Sequence, residues 1–275
     1  MVEMTGAESA LPEYEIFAIR YAWRDARRSD HFIGGDPHDG PMPMDYFTWA
    51  IRGDGRTVVV DTGFTAEVSA RRKRQHLRCP VETLSELGID PDTVDDVVLT
   101  HLHYDHVGNF HKFARARFHL QTREMGFVTG PYMRYPKFGH SFEVEDVVGM
   151  VKLNFKGRVE QHNGDFELAP GITLHHVGGH TPGLQIVRVM TRRGWVVLAS
   201  DAAHYYEHMQ KNRFFTTAFN LGDMIDGYRT CERLAASPDH IVPGHDPLVM
   251  KLYPAVSPGL EGVIVRLDVA PRKEG

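Results

Sequence analysis

Four short apolar runs each end on a side chain able to bind a metal ion. Val97-Val98-Leu99-Thr100 leads into His101, Ile172 to Val177 into Gly178-Gly179-His180, Trp195 to Ser200 into Asp201, and Ile241-Val242-Pro243-Gly244 into His245. The first run opens a dense cluster, His101-Leu102-His103-Tyr104-Asp105-His106. Along an extended or tightly turned segment alternate side chains share a face. His101 and His103 are therefore placed to grip one cation while Asp105 and His106 bend toward a second. Imidazole and carboxylate donors without thiolate suit zinc, or another divalent ion such as iron, manganese or cobalt. They also suit a catalytic rather than a structural site, because structural zinc favours cysteine. The chemistry open to such a site is hydrolysis. Divalent ions lower the pKa of bound water from about 15.7 toward 7, so a bridging hydroxide can attack without a nucleophilic side chain.

A lone His-x-His arises by chance or lines an ordinary turn. The signal is its conjunction with Asp105, His106 and three later donors at strand ends, because independent coincidences multiply. The remaining histidines, including His111, His119, His162, His175, His176 and His208, read as surface or core residues. His31 and His38 are singled out because they sit in a candidate lid.

The elements that must position these donors follow from periodicity. Tyr14 to Trp23 and Tyr46 to Arg52 read as strands from their aromatic and β-branched content. Between them residues 27–44, rich in Gly, Pro, Asp and His, form a long aperiodic segment read as a lid loop. Gly53-Asp54-Gly55 turns the chain into a strand over Arg56 to Val60. Glu82 to Leu87 reads as helical, stopped by Gly88 and Pro91. Arg117 to Gln121 is an expected strand and Thr122 to Val128 a short helix. Residues 130–142 resist assignment and read as an insertion over the site. Asn163-Gly164, Pro170-Gly171 and Arg193-Gly194 punctuate a series of strands from Arg158 to Ser200. The spacing of Leu221, Met224, Tyr228, Cys231 and Leu234 marks an amphipathic helix. Strands and helices alternate in both halves, which suits a core of two sheets with helices on the outer faces.

A chain of 275 residues with 42% apolar content is long enough for a full core and is read as one domain over residues 1–275. A formal net charge of -5 argues against a nucleic-acid partner. Arg71-Arg72-Lys73-Arg74 is expected on the wet face of a helix rather than in a nucleic-acid patch. Only Cys79 and Cys231 are present, which fits a reducing cytoplasm and no disulfide framework. Met1 to Pro12 lacks the pattern of a secretory signal, and no run approaches a membrane span, so no membrane partner is expected. Apolar side chains in Tyr14 to Trp23 or in residues 130–142 suit either a homodimer contact or burial in the core.

With those residues in view, the chain resembles the metallo-β-lactamase-fold hydrolase superfamily. Asp61-Thr62-Gly63, Thr100 to His106, Gly179-His180, Asp201 and Gly244-His245 match its pattern in order. The resemblance implies a four-layer αββα sandwich of two mixed β-sheets. It also implies two Zn2+ per chain: His101, His103 and His180 on one, Asp105, His106 and His245 on the other, and Asp201 bridging. Asp61 would support the site rather than bind metal. Within the superfamily the chain looks most like the N-acyl homoserine lactonases. That likeness rests on Val98 to Asn109, Gly179-His180-Thr181-Pro182-Gly183-Leu184-Gln185, Asp201-Ala202-Ala203 and Pro243 to Pro247.

The implied activity is opening of a lactone, N-acyl homoserine lactone or a relative, to a hydroxy acid by a metal-bridging hydroxide. Asp105 would then shuttle a proton. Such lactonases place a tyrosine three residues after the bridging Asp, where this chain has His204 followed by Tyr205 and Tyr206. His204 and Tyr205 are thus alternative donors to the oxyanion. His103 stands where redox diiron members use Glu, which disfavours oxygen or nitric oxide reduction. Met42, Met44, Phe64, Met125, Tyr132, Met133, Phe214 and Phe215 are candidates for an acyl pocket. The alternative is a thioesterase of the glyoxalase II kind or an open-chain ester hydrolase. A phosphodiesterase and a non-catalytic scaffold rank below both.

Overall fold

The computed structural model describes residues 10–272. Most of the Met1 to Pro12 segment therefore lies outside the described residues. The first sheet comprises β1 (Glu15–Arg24), β2 (Met44–Gly53), β3 (Arg56–Val60), β4 (Gln75–His76), β5 (Asp96–Val98), β6 (Arg117–Gln121), β7 (Val159–His162) and, last in the chain, β13 (Ile264–Arg266). Its order is β13-β1-β2-β3-β5-β6-β7, with β4 paired to β1. The hairpin side is antiparallel and the run from β3 through β7 is parallel. The second sheet contains β8 (Phe166–Ala169), β9 (Ile172–His176), β10 (Gln185–Thr191), β11 (Gly194–Ser200) and β12 (Ile241–Pro243), in the order β12-β11-β10-β9-β8. Only β11 and β12 run parallel there.

Period-two alternation sorts the side chains into layers. Trp49, Val58, Val60 and Val98 of the first sheet meet Leu174, Val187, Val189, Leu198 and Val242 of the second. Their outward neighbours Val59, Val97 and Phe118 pack under Val81, Leu84, Leu87, Met150 and Leu153. Ile186, Val197 and Ala199 on the outer face of the second sheet receive Cys231 and Leu234 from the helix Leu221–Leu234. The result is the αββα sandwich expected from the family pattern.

Some local expectations change. Glu82 to Leu87 spans two short pieces, Pro80–Thr83 and a 3-10 turn Leu84–Leu87, closed by Gly88 at φ 68. Residues 130–142 hold the short turns Pro131–Arg134 and Pro136–Gly139. The helix Val144–Phe155 had no sequence signal because its apolar residues are split: Met150 and Leu153 are buried, while Val144 and Phe155 face solvent. Most of Tyr14 to Trp23 is core, so its apolar side chains are not free for a dimer contact; in the second candidate, Tyr132 and Tyr135 are exposed. Among the described residues no helix is long and apolar enough to cross a membrane, and both cysteines are free.

Candidate metal centre

All four donor-bearing runs are strands or strand ends, and all open at the same edge of the sandwich. Thr100 and His101 follow β5, His180 follows β9 through a glycine turn, Asp201 follows β11, and His245 follows β12. The two sheets are stitched together there. Gln185 of β10 donates its backbone N–H to Thr100 O (3.0 Å) and its side-chain amide to Leu99 O (2.9 Å) and His119 O (3.0 Å). Asp61 and Ser200, which flank the site, hold left-handed backbone at φ 59 and φ 44. Non-glycine residues adopt that region at a cost that surrounding bonds must offset. Those bonds are present: Asp61 accepts from Thr100 N and Thr100 Oγ1, each at 2.8 Å, and Thr100 Oγ1 lies 2.9 Å from Ser200 Oγ.

Seven side chains converge. His101 Nε2 and His180 Nε2 lie 3.0 Å and 2.8 Å from His103 Nδ1. Asp201 Oδ2 lies 3.2 Å from His180 Nε2 and 3.9 Å from His101 Nε2. Its other oxygen, Oδ1, lies 3.0 Å from His245 Nε2 and 3.4 Å from His106 Nε2. Asp105 Oδ2 sits 3.8 Å from both of those nitrogens. The groups divide into a set of His101, His103, His180 and Asp201 and a set of Asp105, His106 and His245, with one carboxylate between them.

The partners of the outer ring nitrogens leave Nε2 of each ring as the one that faces the cluster. His180 Nδ1 meets Thr217 O at 2.6 Å and His245 Nδ1 meets Asp45 O at 2.8 Å; a carbonyl only accepts, so each Nδ1 holds the proton. His106 Nδ1 likewise donates to Asp61 Oδ2 at 2.7 Å. Once these rings are neutral, each Nε2 would aim a lone pair at a carboxylate oxygen that also has only lone pairs. His106 Nε2 and Asp201 Oδ1 are buried without a hydrogen-bond partner. Cations between them remove the repulsion, so the residues present fit a two-metal centre. Partners on the outer nitrogens are the arrangement that orients metal-binding imidazoles.

Burial alone disfavours charging the three-histidine set. It holds His101 and His103 well below the usual imidazole range and also lowers His180. Burial opposes charge on His106 as well, but Asp61, Asp201 and Asp105 outweigh it and raise that ring well above the usual range.

The other predicted site residues separate. His204 lies beside the cluster, with Nε2 3.0 Å from Asp201 Oδ2 and its ring stacked 3.7 Å from Phe215. Tyr205 does not join it. Its hydroxyl donates to Pro43 O at 3.2 Å and meets His31 Nε2 at 3.0 Å, behind the cavity wall. His204 lines the cavity and Tyr205 does not. His31 lines the cavity and His38 does not.

That cavity, about 200 Å³, lies over the metal donors. Of the eight acyl-pocket candidates only Met44 and Phe215 line it. Phe64 is packed among Tyr21, Tyr46 and Tyr104, Met125 is core, and Tyr132 joins Phe127, Phe138 and Phe219. The basic run is also divided. Arg71 and Lys73 are exposed, but Arg72 and Arg74 turn inward and line the cavity with Arg24.

Sequence reasoning missed Glu124. It is fully buried, and its oxygens accept from Leu102 N (3.0 Å), Thr181 Oγ1 (2.7 Å) and Gly183 N (3.1 Å). One carboxylate thus ties the His101–His103 segment to the loop after His180. The helix Thr122–Val128 carries both Arg123 and Glu124, and nothing local to the sequence shows that the carboxylate is the one turned inward.

Residues 43–245, well over half the chain, match the family model described as the metallo-beta-lactamase superfamily. The chain belongs to that superfamily. Among curated relatives, an N-acyl homoserine lactonase of Bacillus sp is 31% identical over 131 residues, covering 47% of each chain. The N-acyl homoserine lactonase AiiB of Agrobacterium fabrum is 33% identical over 171 residues, covering 54% of this chain and 59% of that one. The chain thus spans about half the length of the relatives it matches. The crystal structure of a quorum-quenching N-acyl homoserine lactone lactonase aligns with a TM-score of 0.72 over 86% of this chain and 93% of that one. At 19% identity that likeness concerns the fold.

Proposed function

We propose that the chain is a dinuclear zinc hydrolase that opens a lactone ring, of an N-acyl homoserine lactone or a related lactone, to a hydroxy acid. The observation that carries this reading is the division of Asp201, one oxygen toward each histidine set. His101, His103 and His180 would hold one ion, Asp105, His106 and His245 the other. When bound, the ions would polarise the ester carbonyl and lower the pKa of water toward neutrality, which supplies the nucleophile without a protein side chain. His204, kept neutral by burial, holds one ring proton, which Nε2 gives to Asp201 Oδ2; with that carboxylate engaged by metal, the proton would be free to reach the carbonyl oxygen as it gains charge. Asp105 is placed to carry a proton to the ring oxygen as the ester bond opens. Residues 27–44, through Asp30, His31 and Met44, and residues 130–142, through His140 and Ser141, wall the cavity as a lid and an insertion on one domain.

The test is acid release from a panel of lactones at pH near 7 by metal-loaded protein, with bound metal measured on the same sample. Two ions per chain with no acid released from any lactone would refute the reading. Zinc, iron, manganese and cobalt compete in the same loading. A second reading, a glyoxalase II-like thioesterase, draws on the inward-facing arginines, since a glutathione thioester is anionic; offering one beside a lactone separates the two. The homology to cited lactonases supports the first. A cytoplasmic, quorum-quenching role and a homodimer are parts of the same proposal, the last checked by sedimentation.

A further inference from the structure

The cavity carries two arginines, Arg24 and Arg74, that pair directly with no carboxylate among the described residues. β4 pairs with β1 antiparallel, with Ala22 opposite His76 and Trp23 opposite Gln75. Carried one residue further, that register sets Arg24 opposite Arg74. Side chains opposite one another in an antiparallel pair share a face with Cβ atoms about 4.5–5.5 Å apart, and like charges there repel. Both arginines line the cavity.

Among the described residues neither is in an ion pair. Arg24 Nε is buried and makes no hydrogen bond. Arg74 gives Nε to the Tyr104 hydroxyl (3.0 Å) and Nη1 to Arg72 O (3.0 Å). Arg72 differs, because its Nε meets Glu143 at 2.7 Å and its guanidinium lies 4.0 Å over the Tyr104 ring. The carboxylates of the cavity are turned elsewhere: Asp105 and Asp201 face the imidazoles, and Asp30 accepts from Arg27 N at 2.9 Å. Asp105 acts on Arg74 only from a distance, and half-buried cations without a directly paired carboxylate are costly, two abreast more so. An anion bound between them relieves both costs, and guanidinium forks match the two oxygens of a carboxylate. The cavity is also small: about 200 Å³, against roughly 300–1,000 Å³ for sites that enclose drug-sized ligands.

We propose that Arg24 and Arg74 form an anion subsite, and that the substrate is a small lactone bearing a free carboxylate rather than one with a long neutral acyl chain. The word lactone rests on the function proposed above; the subsite rests on the arginines alone.

The test uses γ-butyrolactone-γ-carboxylate and its uncharged γ-carboxamide. Binding of each to the full chain, prepared without added metal, is measured by calorimetry or ligand NMR. The carboxylate is expected to bind about tenfold or more tightly than the amide, as a charge-assisted contact does over a neutral one. Arg24→Met and Arg74→Met should each collapse that ratio, while Arg74→Lys retains part of it. Melting curves identify any variant that fails to fold, and weakening of carboxylate binding by salt gives a readout on unaltered protein. Equal binding of the two compounds, no binding of either, or salt-independent binding overturns the subsite. Turnover by metal-loaded protein is read separately. Preferential binding with no lactone opened leaves the subsite and removes the lactonase, whereas equal turnover with equal binding does the reverse.

Discussion

Replacing Glu124 by Gln tests whether one buried carboxylate positions the metal donors. The native side chain accepts three hydrogen bonds, from Leu102 N, Thr181 Oγ1 and Gly183 N. A glutamine has one carbonyl oxygen and an amide that only donates. With the oxygen toward Leu102, the amide faces Gly183 N–H; with it reversed, the amide faces Leu102 N–H. Either way one backbone N–H is orphaned at a cost of about 1–3 kcal/mol, and the remaining bonds drop from charge-assisted to neutral strength, about 1 kcal/mol each. Part of this is offset because burial already raises the Glu124 pKa and the amide needs no charge in the core. The expected loss is about 2–3 kcal/mol of stability. The strain falls on the segment between His101 and His103 and on the loop after His180, so metal affinity of the three-histidine set should fall about 10- to 100-fold. Denaturant unfolding of metal-free protein gives the first quantity, and competition with a chelator gives the second. Loss of stability with unchanged metal affinity would refute the positioning role.

Asp201→Asn leaves one side-chain oxygen where two were shared, so metal affinity is expected to fall more than ~100-fold; two ions retained per chain after dialysis would contradict the bridging role. Acid should weaken the metal-free fold through His31, whose pKa burial lowers to about 4, and His208, lowered to about 3. Both are neutral when folded, so their contribution is intact above the unfolded value near 6.5. It is lost as pH falls, by about 3 kcal/mol for His31 at pH 4. A His31→Gln variant whose stability falls as steeply as wild type between those values would remove His31 from the account. Gly179→Ala should cost about 3 kcal/mol, because Gly179 has φ +86 and a Cβ would lie 2.7 Å from Met224 N. An unchanged denaturation midpoint would show that the helix Leu221–Leu234 can yield there.

The strands that deliver His101, His180, Asp201 and His245 were readable because each is a local pattern, an apolar run ending on a polar donor. Which layer each side chain of β3 and β5 enters was not readable, because Val58-Val59-Val60 and Val97-Val98 are apolar toward both layers. The helix Val144–Phe155 was not readable, since its exposed Val144 and Phe155 blur the periodicity. Tyr205 and His204 are adjacent in the chain and both able to donate a hydrogen bond, and the direction each takes depends on Pro43, His31 and Phe215 packed against them.

Residue types and their spacing were enough to pick out the seven side chains that converge and the two-sheet scaffold, because strand period and side-chain chemistry act over a few bonds. The juxtaposition of Arg24 with Arg74, the clamp made by Glu124 and the small polar cavity required the folded chain. Each depends on pairing register and packing between segments tens of residues apart, and no local pattern encodes that distance.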